Sequence, residues 1–279
     1  MRLLVGVDDS DGGRDALELA RVLSSETAGS SAVIATVLFS GPLPIEMAGL
    51  DPEESEEAEP IFERARAKLA GTDVDTRAFG GGSPAAILTV LAEQEKFDAI
   101  VVGSPHRGAV GRVLLGSVAL ALLNGAPCEV IVAPKGYAEE EHADFGTIAV
   151  GYEGSPEAKE ALQRAEAIAS LSNATIRVLT VVSPPVVVAV PGGYAPQTPP
   201  EPTEVINEAV HSIDTKLSAE GKRLDGSPAV EIPRACEEGV DLLVLGSRGY
   251  GPLTRVLLGS VSRKAINEAP CPVLVVPRP

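Results

Sequence analysis

Two stretches of the chain have the residue types and spacing of a phosphate cradle. The fuller one reads Gly246-Ser247-Arg248-Gly249, then nine residues, then Gly259-Ser260-Val261. The other has Gly103, then His106 where the second glycine would stand, then Gly116-Ser117-Val118. Glycines let backbone N–H groups approach phosphate oxygens closely, and a helix opening at Gly259-Ser260 adds partial positive charge. Ser260 can donate through both its hydroxyl and its N–H. The plain alternative is a glycine turn needed only for chain geometry. Recurrence of the loop, each time after an apolar run and before a helix-like segment, favours the cradle.

Two carboxylates stand where they could meet a sugar. Asp8 follows the apolar run LLVGV, and Glu153 follows the matching run in the second half. A carboxylate there can accept hydrogen bonds from ribose hydroxyls; equally, Asp8, Asp9 and Ser10 can cap the next helix. Thr36-Val37 and Thr180-Val181 end the second apolar run of each half, where backbone groups can pair with a base edge or simply continue a buried strand. Other chemistries lack their residues. There is no GxxxxGK[ST] loop. An ATP pyrophosphatase would carry an SGGxDS-type loop, whereas VDDSDGG puts its glycines after the Ser. No Ser–His–Asp or paired-carboxylate spacing is present. Cys128, Cys236 and Cys271 are widely spaced, with no CxxC pair for zinc, and read as small buried side chains. Cys236 lies in a helical segment without a partner. His142 and His211 have no companions that would make a metal site.

These residues sit in a chain that is written twice. Residues 103–134 align without a gap on 246–277, with more than half of the positions identical, including RVLLGSV and APC. Residues 4–20 align on 149–165. The expected division is a first domain over 1–136, a linker over 137–145 and a second domain over 146–279. Each half alternates short apolar runs with helix-like spacing. In the first these are 3–7, 32–39, 74–79, 99–102 and 130–133, with helices over 11–23, 60–69 and 84–95, and another from Gly116 or Ser117. Such an order predicts α/β domains, each a parallel sheet with helices on both faces. In the second half little remains for a third strand beyond Lys222–Leu224. The stretch 183–202, rich in Pro and Gly, reads as a long loop and could form a lid.

Charge and composition narrow the partners. With 39 Asp+Glu against 23 Lys+Arg the net charge is −16, which repels the phosphates of nucleic acid and of anionic membranes. Aromatic content of 3% without Trp leaves no stacking platform for single strands. No apolar run is long enough to span a bilayer, and MRLLVGVDDS meets charge too early for a signal peptide. The expectation is a cytoplasmic protein with reduced thiols. The acidic tract 51–59 reads as a solvated loop or helix entry.

Taken together, these motifs resemble the universal stress protein family, in tandem over nearly the whole chain. The family pattern G-2x-G-9x-G(S/T) is met in full by Gly246, Gly249, Gly259 and Ser260, and the first half matches it at Gly103, Gly116 and Ser117. LLGSV and APCPVLVVP are also similar to the family. The resemblance implies two open parallel five-stranded sheets of order 3-2-1-4-5, of the adenine-nucleotide alpha-hydrolase-like class. It implies an ATP site with Mg²⁺ as an option. The ribose carboxylate falls on Asp8 and Glu153, and adenine contacts on Val37 and Val181. Phosphate contacts fall on Gly103, His106, Gly116, Ser117 and Val118, and on Gly246, Gly249, Gly259, Ser260 and Val261. His106 and Glu153 depart from the family pattern. The resemblance also implies that the fifth strands, Val130–Ala133 and Val273–Val276, pair inside one chain as a pseudo-dimer, with a homodimer as a further level. The expected function is an adenine-nucleotide-binding stress regulator rather than a fast enzyme. A nucleotide-free interaction scaffold and a slow ATP-hydrolysing enzyme are the alternatives.

Overall fold

The computed structural model describes residues 1–26, 29–38, 56–105, 110–182, 186–190, 193–197, 202–247 and 259–278. The first half runs β1 (Arg2–Val7), α1 (Asp11–Glu26), β2 (Ser31–Val37), α2 (Glu59–Lys68), β3 (Asp73–Phe79), α3 (Pro84–Glu95), β4 (Ala99–Gly103), α4 (Ser117–Leu122) and β5 (Glu129–Ala133). The second runs β6 (Thr147–Gly151), α5 (Pro156–Ser172), β7 (Thr175–Val182), β8 (Val186–Val190), β9 (Gly193–Gln197), α6 (Pro202–Ser212), β10 (Ala219–Asp225), α7 (Pro228–Cys236), β11 (Leu242–Gly246), α8 (Ser260–Glu268) and β12 (Val273–Val276).

The apolar runs become strands because both of their faces are covered. Leu3, Leu4 and Val5 of β1 are fully buried, as are Leu242, Leu243 and Val244 of β11. Continuous apolar strands of this kind belong in parallel sheets with helices on each side. Each half has the expected order, β3-β2-β1-β4-β5 and β10-β7-β6-β11-β12. The two join into one ten-stranded sheet through antiparallel pairing of β5 with β12, with Val130 opposite Val275, Ile131 opposite Leu274 and Val132 opposite Val273. Two cores lie on opposite faces of this sheet. One gathers the apolar sides of α1, α2, α5 and α6; the other gathers those of α3, α4, α7 and α8. Both cores contain residues of both halves, so the apolar layers continue across the seam.

Three features differ from the sequence reading. β10 is seven residues long and pairs with β7 throughout, from Ala219 opposite Ile176 to Asp225 opposite Val182. Its sequence AEGKRLD shows no apolar run because it is an edge strand with exposed and half-buried positions, and charge on such an edge discourages pairing between molecules. Within the expected loop 183–202 lies an antiparallel hairpin, β8–β9, with Val188 opposite Ala195. Its β-branched run VVVAV is the strand signal that the surrounding Pro and Gly concealed. Residues 183–185, 191–192 and 198–201 of that stretch lie outside the described residues. Finally, Cys236 has a partner: its thiol hydrogen-bonds that of Cys271, and both are buried.

The segment joining the halves is folded onto α1. Tyr137 and Phe145 are buried in the core, and the Tyr137 ring stacks on His142 at 3.8 Å. Asp15, 1% exposed, accepts from the N–H groups of Gly136 and Ala138 at 2.9 and 2.8 Å. Glu18, equally buried, is clamped by Arg21 at 2.7 Å and Lys68 at 2.5 Å, and Arg21 also donates to the His142 carbonyl. A helix face that reads as polar in sequence is therefore the dock for the linker.

Burial alone would raise the Glu18 pKa, but the hydrogen bonds from Arg21 and Lys68 outweigh it and hold the carboxyl below its ordinary 4.5. A depressed carboxyl stabilises the fold above its unfolded pKa, and that contribution is lost as pH falls through the folded value. Glu18→Gln should cost about 2 kcal/mol at neutral pH, since it leaves two cations short of a buried partner that are themselves a third exposed. Urea unfolding at pH 7 should show that gap between variant and wild type. The gap should narrow as the pH is lowered below the ordinary carboxylate value and Glu18 takes up its proton.

Candidate functional site

In an open α/β sheet the carboxyl ends of the strands diverge where the chain reverses its direction of travel across the sheet. Here that point falls between β1 and β4 in the first half and between β6 and β11 in the second. A cavity opens at each.

The first cavity measures about 320 Å³, and its wall includes Asp8, Val37, Gly103, Gly116, Ser117 and Val118. The structure thus brings together every site residue expected in this half except His106, which lies outside the described residues. Its floor is main chain. A Cβ at Gly103 would stand 1.9 Å from the Gly12 carbonyl oxygen, and one at Gly12 would stand 2.4 Å from that of Ser104. One at Gly13 would stand 2.2 Å from the Asp8 carbonyl oxygen. The turn from β1 into α1 and the end of β4 therefore touch backbone to backbone. Gly12 and Gly13 were missed in the sequence reading, although the Asp-Gly-Gly at the start of a helix was the signal. Glycine is poor in a helix, so a pair of them there marks close approach.

Asp8 stands at the cavity and at the start of α1 together. It lines the cavity, and its Oδ1 accepts from the Ser10 N–H at 3.1 Å and from the Ser10 hydroxyl. Ser10 Oγ in turn accepts from the Gly13 N–H at 3.2 Å. Ser10 is thus the cap, and Asp8 orients it. The segment after β4 is anchored by a further residue missed in sequence, Ser104. Its buried hydroxyl donates to the Ala133 carbonyl at 2.8 Å and accepts from the Leu114 N–H at 2.9 Å.

The second cavity, about 470 Å³, repeats the plan with altered side chains. Glu153, Val181 and Gly246 line it. Glu153 accepts from the Ser155 hydroxyl at 2.5 Å, and Ser155 accepts from the Ala158 N–H at 3.1 Å, as Asp8 and Ser10 do in the first half. Gly259 caps α8, which Ser260 and Val261 open, and Ser262 and Ala265 of that helix reach the cavity. Gly249 lies outside the described residues. The difference is at the place of Gly12. There the second half has Glu157, whose 14% exposed side chain also lines the cavity and meets Arg278 Nε at 3.3 Å. Tyr152 stands where the first half has Val7 and is buried, which raises its hydroxyl pKa.

Burial pushes the Cys128 thiol up to about 12, so it stays protonated. The hydrogen bond that the Cys271 thiol makes to Cys236, together with burial, raises its pKa. Of the acidic tract, residues 51–55 lie outside the described residues, and Glu56 and Glu57 are exposed. Among the described residues no helix is long and apolar enough to cross a membrane, and no group of three or more His, Cys, Asp or Glu could hold a metal ion.

The profile of the universal stress protein family matches residues 1–134 and again 144–277. Universal stress protein Rv2005c of Mycobacterium tuberculosis is 30% identical over 197 residues, a match covering 67% of this chain and 64% of that relative. A universal stress protein of Mycolicibacterium smegmatis is 29% identical over 296 residues, 98% of this chain and 96% of the relative. Among solved structures, a universal stress protein from Archaeoglobus fulgidus superposes with a TM-score of 0.72 over 99% of this chain and 96% of that one, at 22% identity, which speaks for the fold alone. Two matches of one family profile, one on each five-stranded half with its own cavity, place this chain in the universal stress protein family as a tandem member.

Proposed function

We propose that the chain binds an adenine nucleotide, ATP with or without Mg²⁺, chiefly in its first half, and acts as a cytoplasmic stress-response regulator rather than as a fast enzyme. The observation that carries this reading is the backbone floor at Gly12, Gly13 and Gly103, which lies between Asp8 and Gly116-Ser117 in one cavity. Main chain with no Cβ in front of it can offer N–H groups to phosphate oxygens at close range. Asp8 can accept from ribose hydroxyls, and Ala35, Val37 and Leu88 offer apolar surface to the base. The volume lies within the range of small-molecule sites. Asp8 is the only titratable side chain among the described residues lining this cavity, so it presents no acid–base pair, which favours retention of a ligand over its turnover.

The second cavity is less suited to the same ligand. Glu153 and Glu157 place two carboxylates around it where the first has one. A carboxylate about 6 Å from a phosphate at an effective dielectric near 20 costs roughly 3 kcal/mol, of which Arg278 offsets a part. This second cavity is where a role other than nucleotide binding would develop.

Denaturing the freshly purified protein and separating the supernatant by ion-pair chromatography should give about one adenine nucleotide per chain. Gly116→Trp, which puts an indole into the first cavity, should abolish it. Absence of nucleotide, together with no thermal shift on adding ATP and Mg²⁺, would leave the scaffold reading in its place. Calorimetric titration of Glu157→Gly in the Gly116→Trp background should show ATP binding at the second site at least tenfold tighter than Gly116→Trp alone, an effect of about 1.4 kcal/mol.

A further inference from the structure

The segment that leads into the wall of the first cavity is held from the other half of the molecule. Between β4 and α4 the chain runs through residues 110–115 before it reaches Gly116 and Ser117 in the cavity wall. Four backbone N–H groups of this run have partners, and the partners alternate. Gly111 donates to the Lys135 carbonyl at 2.8 Å and Leu114 to the Ser104 hydroxyl at 2.9 Å, both in the first half. Val113 donates to the Ala269 carbonyl at 2.9 Å, and Leu115 to Asn267 Oδ1 at 2.8 Å, both in the second. Arg112 adds a bond from Nη1 to the Glu268 carbonyl at 2.6 Å and an ion pair with Glu237.

The chemistry of a helix end explains why this contact forms. Asn267 and Glu268 are the last residues of α8, and Ala269 follows it. The last carbonyls of a helix have no partner within it and carry partial negative charge. Arg112 and the Val113 N–H supply the missing donors, one of them cationic. Val113 is fully buried at this contact, and Leu115 is the residue immediately before Gly116. The Leu115 N–H is accepted by a side chain, so one substitution can remove its bond and leave the backbone of both elements intact.

We propose that the second half of the chain is a structural part of the first binding site, with Asn267 and Glu237 as positioning residues for loop 110–116. Neither residue lines the first cavity. They act on the loop, and the loop presents Gly116 and Ser117. The proposal uses the nucleotide reading of the first cavity only for its affinity consequence; the positioning itself is a property of the unliganded full chain.

The test compares full-length wild type, Asn267→Leu, which keeps the volume and loses the acceptor, and Asn267→Asp, which keeps an acceptor at the same place. Amide hydrogen exchange is followed in the fragment covering 111–118 without ligand, and ATP binding by calorimetry. Asn267→Leu should speed exchange in that fragment about fivefold or more and weaken ATP binding by a similar factor, the size of one net hydrogen bond. Asn267→Asp should restore the wild-type exchange rate. Glu237→Gln, on an exposed ion pair that the fold can lose, should move both readouts in the same direction by about twofold. Unchanged exchange in Asn267→Leu and Glu237→Gln would overturn the proposal, and so would faster exchange with unchanged ATP affinity. If wild type binds no ATP, the nucleotide reading fails, and the exchange arm still decides whether α8 holds the loop.

Discussion

Strands β5 and β12 are the apolar edges of two five-stranded sheets, and their antiparallel pairing is the contact on which the rest of the molecule depends. Val130, Ile131, Val132, Val273, Leu274 and Val275 are all fully buried there. An unpaired apolar edge invites pairing with other chains, and here each edge serves as the other's cover. The pairing also aligns the two cores, so that Ile131 and Leu274 share one apolar layer and Val132 and Val273 the other. Arg164 of α5 reaches across to Glu129 of β5 at 2.7 Å, which places a charged contact at the end of the same seam. Because β5 and β12 run in opposite directions, the seam brings the loop before α4 alongside the end of α8. The geometry of the first cavity is thereby tied to an element of the other half.

The linker follows from the same constraint. Once the sheets are joined, the chain must pass from the end of β5 to the start of β6. Residues 134–146 do this along α1. Carboxylates as buried as Asp15 and Glu18 are rare in a helix unless paired. Asp15 meets two main-chain N–H groups of the linker, and Glu18 meets Arg21 and Lys68. Burial is the larger influence on Asp15 and raises its pKa against those two hydrogen bonds. Buried polar contacts contribute modestly to net stability but penalise any arrangement that leaves them unmet. They give the linker one path.

Much of this was legible in the residues. Short apolar runs separated by helix-like spacing identified the buried strands, because a parallel strand covered on both faces cannot afford polar residues. The repeat located the halves and, through the family pattern, the pairing of the fifth strands. Residues brought to the first cavity were legible because glycine spacing encodes close backbone approach. What stayed hidden has a common physical cause: the signal lay in contact across sequence distance. β10 has no apolar run because its stability comes from pairing with β7. Ser104 looks like any serine until its hydroxyl is placed between Ala133 and Leu114. Cys236 acquires a partner only when α7 meets the turn before β12. Asn267, repeated as Asn124, gives no hint in sequence that it serves the other half; Asn124 itself donates to the Leu120 carbonyl of the helix just before it.

Duplication within one chain separates two demands that a single domain must meet together. The apolar edge must be kept in both copies, since either half alone exposes it, and both copies keep it. The cavity need be kept in only one. The first half has Gly12, whose missing side chain lets α1 touch the end of β4, and Gly13, whose missing side chain lets α1 fold back onto Asp8. In the second, α5 still makes the close approach at Gly246, where a Cβ would stand 2.5 Å from the Glu157 carbonyl oxygen. The side chains beside that contact have changed to Glu157 and Tyr152. The backbone approach is thus conserved between copies because the packing of helix on strand requires it, while the chemistry of the pocket it frames is free to diverge. A pocket can be altered in this way without loosening the fold. Through α8 its half of the molecule continues to shape the other pocket.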